Sequence, residues 1–207
     1  MRTNLYLRII AGQLGGRSID APPKGVKGTR PTLERVRESV FDIIARKLPK
    51  ARVLDLCAGT GSMGFEALSR GASSATFVES LRQNVQLIQH NAATLAVEDR
   101  MLLVAGELPY ALGRVKGEFD IIFFDPPYSS DLVERTLPRI AAKGLLARTG
   151  VMIIERDRRS TEIQSRDFHV LRRHRIGDAE LWFLERTAVR PAKEEARGDN
   201  GKDEGQE

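Results

Sequence analysis

From Arg52 onward, short apolar runs alternate with longer segments whose apolar positions recur every three to four residues. The runs at 53–56, 75–79, 101–105, 119–125 and 151–155 have the length and the branched or aromatic content of buried strands. The intervening segments 64–70, 81–95, 109–114 and 130–142 carry helical spacing, so the pattern predicts an α/β fold, a mostly parallel sheet with helices on both faces. The period then changes. Two strand-like runs, 168–176 and 180–185, joined by Gly177, Asp178 and Ala179, predict a closing antiparallel hairpin. Before this region, residues 1–28 read as one or two short strands and an extended arm. Thr32 is a candidate N-cap for a helix along Leu33, Val36, Val40, Phe41, Ile44 and Leu48, with Arg35 and Arg37 expected on its polar face. Residues 188–207 contain one aliphatic side chain larger than alanine, Val189, and are expected to be a disordered tail. The chain is thus expected to comprise an amino-terminal extension, 1–50, packed on an α/β domain, 51–187, and the tail, 188–207.

Charge segregates along the same boundaries. Residues 1–50 hold 11 Lys and Arg against 4 Asp and Glu, residues 51–187 hold 18 against 18, and the tail holds 4 against 6. The surplus on the extension suits a polyanionic partner, because Lys and Arg that neutralise phosphates release counterions. Arg8, Arg17, Arg30, Arg35 and Arg37 are the candidate phosphate contacts. A later cluster, Arg156, Arg158, Arg159, Arg172, Arg173 and Arg175, lies in a charge-balanced segment and reads equally well as a solvated edge. No apolar run nears the roughly 18 residues of a membrane-spanning helix, and the arginine-bearing start has no apolar core of a signal peptide. A soluble cytoplasmic monomer without a membrane partner is expected. One cysteine, Cys57, and three scattered histidines, His90, His169 and His174, predict neither an internal disulfide nor a metal site.

Two segments carry candidate chemistry. The first, Asp55 to Gly64, follows a strand, opens a helix, and matches G-x-G-x-x-G at Gly59, Gly61 and Gly64. Glu79 falls 20 positions after Gly59 at the end of the next strand, where a carboxylate accepts hydrogen bonds from ribose hydroxyls. These features also permit a dinucleotide. Asp55 tilts the choice, since a carboxylate beside the ligand disfavours a pyrophosphate and favours a cation such as the sulfonium of S-adenosylmethionine. The second segment, Asp125-Pro126-Pro127-Tyr128, ends a buried strand in a rigid turn. An exocyclic amino group on a base is a poor nucleophile because its lone pair is delocalised into the ring. The Asp125 carboxylate and the Pro126 carbonyl can draw its hydrogens out of plane, while Pro127 stiffens the turn and Tyr128 stacks on a base taken out of its helix.

Asp55 to Gly61 together with Asp125 to Tyr128 resembles the amino-methyltransferase branch of the class I S-adenosylmethionine-dependent methyltransferases. The wider chain, residues 7–186, is similar to the bacterial small-subunit (16S) ribosomal RNA guanine-N2 methyltransferases of the RsmD type. That likeness runs through Arg8 to Gly12, Gly16-Arg17, Thr29 to Thr32, Val36 to Phe41 and Gly177 to Phe183. The resemblance implies a Rossmann-like sheet of seven strands and methyl transfer from S-adenosylmethionine to the N2 of one guanine in 16S rRNA, with no metal. It further implies that Glu79 binds the cofactor ribose, that Ala58, Gly59, Thr60 and Gly61 hold its methionine part, and that Asp125, Pro126, Pro127 and Tyr128 clamp the flipped guanine. Glu107 stands where the family often places an Asp near the adenine amino group, and is the candidate adenine contact.

Three other readings remain open on the residues alone. A DNA adenine-N6 methyltransferase would use Asp125 to Tyr128 in the same way but generally needs a target-recognition region larger than the extension. A nicotinamide-dependent oxidoreductase is compatible with the glycine pattern but has no use for Asp125 to Tyr128. A non-catalytic RNA-binding assembly factor would have no need of Asp55, Glu79 and Asp125.

Overall fold

The computed structural model describes residues 5–22, 34–127, 130–157, 160–177 and 179–187. Its first elements are a two-stranded antiparallel ribbon, β1 (Leu5–Arg8) and β2 (Ser18–Ala21), and helix α1 (Glu34–Ile43). The expected cap at Thr32 and the tail lie outside the described residues. The predicted helix through Leu48 ends earlier, at Ile43, and continues as a tight 3-10 turn over Ala45–Lys47. Ile44 leaves helical geometry at φ −96°, ψ 7°, and the chain tightens into the turn there. The turn still delivers Ile44 and Leu48 to the interior.

The main sheet comprises β3 (Arg52–Leu56), β4 (Ser74–Glu79), β5 (Met101–Ala105), β6 (Phe119–Phe124), β7 (Leu146–Asp157), β8 (Phe168–Ile176) and β9 (Ala179–Arg186), in the order β5-β4-β3-β6-β7-β9-β8. Strands β3 to β7 pair in parallel, and β9 inserts antiparallel between β7 and β8, as the hairpin signal predicts. Helices α2 (Ser62–Ser69), α3 (Arg82–Leu95) and α4 (Leu132–Ala142) connect the parallel strands. The segment predicted as a helix at 109–114 is a 3-10 turn, Tyr110–Arg114, which has only Ala111 and Leu112 to bury. Strand β7 begins five residues earlier than its apolar core suggests, because Leu146 pairs with Phe119 across a register shift, and its exposed Arg148 and Thr149 mask that pairing in the sequence.

Side chains alternate across the sheet with period two. Val53, Phe77, Ile121, Phe123, Ile153 and Phe183 face one core, and Leu54, Leu56, Val78, Ile122, Phe124, Met152 and Trp182 face the other. The first core also takes in Ile9, Leu14 and Ile19 around the ribbon and Val36, Val40 and Phe41 of α1. The amino-terminal segment and the sheet therefore share one hydrophobic interior. From β3 the chain runs outward through β4 to β5, then returns to β6 on the other side of β3. The loops leaving β3 and β6 diverge at this switch point, which opens a crevice at the carboxyl edge of the strands.

Candidate functional site

Strand register brings the candidate residues to that crevice. Leu56 pairs with Val78 on one side and with Phe124 on the other, so Cys57, Glu79 and Asp125 stand at neighbouring strand ends. The amide of Asp125 donates to the Leu56 carbonyl at 3.5 Å, a long bond that closes the gap between the two loops.

The three glycines of the turn do different work. Gly64 sits where a Cβ would lie 2.2 Å from the Phe77 ring, so it lets α2 pack against β4. Gly61, at φ +77°, is the left-handed N-cap of α2, and a Cβ there would lie 2.6 Å from Phe65. Gly59, at φ +57°, has no such neighbour; its open side is where a ligand can approach the backbone. The turn is closed by Gly61 N–H to the Ala58 carbonyl at 2.7 Å and tied to β4 by Ala58 N–H to the Val78 carbonyl at 3.1 Å.

Two carboxylates brace this turn. Glu79 Oε2 accepts from Gly59 N–H at 2.7 Å, while Oε1 accepts from Ser80 and Leu81 N–H, each at 2.8 Å. The Glu79 carbonyl accepts from Gly106 N–H at 2.8 Å, which draws the loop carrying exposed Glu107 to the same edge. Asp55, 3% exposed, lies beneath the turn and accepts from Gly64 N–H at 3.0 Å. It braces the turn from inside instead of lining an open wall, which differs from the expectation of a carboxylate directly beside the ligand. Burial pushes the Asp55 carboxyl well above its ordinary value of 3.8; the Gly64 hydrogen bond opposes this, and the nearby charges of Asp125 and Glu79 add to it. Burial likewise pushes the Cys57 thiol up, with Glu79, Asp125 and Asp55 adding to the rise, which disfavours the nucleophilic thiolate.

The Asp55 shift has a consequence for stability. Between the ordinary carboxyl value and the raised one, the folded chain holds a proton that the unfolded chain has lost, so stability falls as pH rises through that window. Asp55→Asn keeps an acceptor for Gly64 and removes the titration. Urea unfolding across pH 4 to 8 is expected to show the Asp55→Asn variant gaining on the parent chain as pH rises, with the two converging toward pH 4.

The Asp125 turn is held by Ser130, whose N–H and Oγ–H donate to the Pro127 carbonyl at 3.1 and 2.7 Å. Pro126 is buried, Asp125 is half-buried, and Pro127 is exposed toward solvent. Tyr128 lies outside the described residues.

The five candidate phosphate contacts separate. Arg8 and Arg35 are placed differently from one another in the chain but neither is interior, and Arg30 lies outside the described residues. Arg17 is exposed but its guanidinium caps the end of α3, donating to the Thr94 carbonyl and, at 3.0 Å, to the Leu95 carbonyl. The expectation for Arg37 is overturned. It is 1% exposed, donates to the Arg8 carbonyl and lies 3.8 Å from Glu66, which is itself fully buried. An interior side chain cannot reach an RNA backbone. The signal lies in the spacing, since position 37 is one turn from Leu33 and from Phe41, on the apolar stripe of α1. Glu66, which belongs to no motif in the sequence, accepts from Ile10 and Ala11 N–H at 2.7 and 3.1 Å and from Arg70 Nε at 2.7 Å. Its signal is a lone charge within α2, where Ser62 and Gly64 to Ser69 are all buried.

In the later arginine cluster, Arg173 stacks on Trp182 at 3.9 Å and pairs with Glu162, Arg156 pairs with Glu134, and Arg175 pairs with Glu180. Arg158 and Arg159 lie outside the described residues. Among the described residues no group of three or more metal-ligating side chains is suited to hold an ion, and no helix is long and apolar enough to cross a membrane. A concavity of 290 Å³ bounded by Lys47, Lys50, Asp120 and Thr149 lies at the opposite, amino edge of β3 and β6, away from these groups.

A family profile described as conserved hypothetical protein 95 matches residues 7–185. The chain belongs to this family. The matched range takes in most of the ribbon, α1 and all but the last residue of the sheet. Among its relatives, the Ribosomal RNA small subunit methyltransferase D of Escherichia coli strain K12 is 36% identical over 149 residues, 72% of this chain and 74% of that protein. The protein of the same name from Haemophilus influenzae is 29% identical over 178 residues, 83% and 89% of the two chains. The solved structure of yhhF from Escherichia coli superposes with a TM-score of 0.77 at 33% identity, covering 89% of this chain and all of that one. The architecture of this family member, with its carboxyl-edge glycine turn, is the Rossmann-like α/β fold of class I methyltransferases.

Proposed function

We propose that the protein transfers a methyl group from S-adenosylmethionine to the exocyclic N2 amino group of a guanine in small-subunit ribosomal RNA, acting in the cytoplasm as a monomer without a metal. The carrying observation is the convergence of Asp55, Glu79 and Asp125 on one glycine turn, set by strand register and by the hydrogen bonds to Gly59 and Gly64 N–H. The carboxylates of Glu79 and Asp125, at neighbouring strand ends, repel a pyrophosphate and attract a cation, which counts against a nicotinamide dinucleotide. The relatives named as small-subunit rRNA methyltransferases support the substrate.

When bound, S-adenosylmethionine supplies a methyl already made electrophilic by its sulfonium. What remains for the protein is positioning and electrostatics. The open side of Gly59 fits a close backbone approach by the methionine part, the Glu79 carboxylate suits ribose hydroxyls, and Glu107 suits the adenine amino group. Asp125 and the Pro126 carbonyl accept the two hydrogens of the guanine amine, which turns its lone pair toward the methyl; Pro127 stiffens the clamp and Tyr128 stacks on the base. The proton that leaves the methylated nitrogen passes to solvent. Arg8 and Arg35, with Arg30 between them in sequence and Arg17 beside α3, supply phosphate contacts.

Transfer of tritium from methyl-labelled S-adenosylmethionine to small-subunit particles, naked 16S rRNA and duplex DNA tests the reading. Label is expected in RNA as N2-methylguanosine. Label as N6-methyladenine in DNA would replace this function with the DNA reading, and cofactor binding without any transfer would replace it with that of an assembly factor.

A further inference from the structure

The ribbon and the glycine turn are joined by one side chain that no part of the proposed chemistry uses. Asn91 on α3 is fully buried and makes three hydrogen bonds. Its Oδ1 accepts from Asp20 N–H of β2 at 2.8 Å, and its Nδ2 donates to the Asp20 carbonyl at 3.1 Å and to the Thr60 carbonyl at 3.2 Å. Two carbonyls on one side and an N–H on the other leave the amide a single orientation. Thr60 stands between Gly59 and Gly61, and the peptide plane that begins with its carbonyl ends at the Gly61 N–H bonded to Ala58. Asn91 therefore pins one end of the plane whose other end closes the turn.

Resting on the reading that this turn receives S-adenosylmethionine, we propose that Asn91 is a positioning residue through which the amino-terminal ribbon holds the Thr60–Gly61 peptide plane in its cofactor-binding orientation. Without Asn91 the Thr60 carbonyl is a buried acceptor lacking a partner. The plane can relieve that loss by rotating about ψ of Thr60 and φ of Gly61, because Gly61 tolerates a wide range of φ. Rotation breaks the Gly61 to Ala58 bond that closes the turn around the open side of Gly59. The ribbon is thus part of the cofactor site although none of its own side chains reaches the turn through this contact.

The test uses the full chain and two variants. Asn91→Leu keeps the branching of the side chain and carries no polar atoms; Asn91→Asp keeps the acceptor for Asp20 N–H and loses both donors. Calorimetry is expected to show each binding S-adenosylmethionine at least about tenfold more weakly than the parent chain, the scale of one lost buried hydrogen bond. Hydrogen exchange on the ligand-free proteins is expected to show faster exchange at residues 58–61, with parental protection in β6 and β7. A folded variant with parental affinity overturns the proposal. So does loss of protection spread evenly over the sheet, or failure of both variants to fold, either of which makes Asn91 a general stability residue. A parent chain that does not bind S-adenosylmethionine overturns the cofactor reading itself, and is told apart by the parent titration alone.

Discussion

Asp125→Ala is expected to lower methyl transfer by about 10²- to 10³-fold, the effect of removing one pre-organised electrostatic group, while changing S-adenosylmethionine affinity by no more than about threefold. The asymmetry follows from position. Asp125 leaves the end of β6, on the far side of β3 from Glu79, and the carboxylate bonds that brace the glycine turn come from Glu79 and Asp55. Its carboxylate acts on the amine as the nitrogen becomes pyramidal, an interaction realised more fully in the transition state than in the ground state. Single-turnover rates with saturating RNA, beside calorimetric cofactor titration, measure the two effects separately. A parental rate would remove the clamp from the mechanism. A large loss of cofactor affinity would reassign Asp125 to the cofactor half of the crevice. Asp125→Asn keeps one acceptor and the same shape, and is expected to fall between the two.

Glu66→Ala is expected to cost about 3–5 kcal/mol of folding stability, the range for removing one partner of a buried ion pair. Glu66 answers Ile10 N–H, Ala11 N–H and Arg70, and it is the acid paired with Arg37. Burial already pulls the Arg37 guanidinium below its ordinary value, with Glu66 opposing the pull. Among the described residues, Arg37 Nε and Nη1 have no hydrogen-bond partner, so the charge of Glu66 is what keeps this cation tolerable inside the fold. Removing Glu66 strands it. Equilibrium unfolding in urea gives the number, and a loss below about 1 kcal/mol would mean that water reaches Arg37 and that the pair is no more than a surface contact. The loss is expected to release the segment from Ile10 to Leu14 first, because Gly12, Gln13 and Leu14 lie against the end of α2. There a Cβ on Gly12 would meet the Ser69 carbonyl at 2.1 Å, and Gln13 and Leu14 N–H donate to Ser69.

The Glu66 variant bears on how far the amino-terminal segment is separable from the sheet. Its charge reads as an appendage for a polyanion. Its packing reads otherwise, since Ile9, Ile19, Val40 and Phe41 are 0 to 1% exposed within the core shared with β3 and β4. Deleting the segment would open that core, so the separation into extension and domain is one of charge and not of folding.

The local pattern was enough for the parallel strands, the closing hairpin, and the order of glycine turn, acid and Asp125 turn. These depend on apolar periodicity and on glycine and proline chemistry, each of which is written into a few neighbouring residues. Where each polar side chain points was not legible in the same way. Arg37 is polar by composition and interior by position, Asp55 braces the turn from below, and Asn91 joins Asp20 to Thr60. The partners of Asp55 and Asn91 are 9 to 71 residues away along the chain. Whether a buried polar atom is a liability or a brace depends on which distant backbone groups packing carries to it, and periodicity along a single segment holds no record of them.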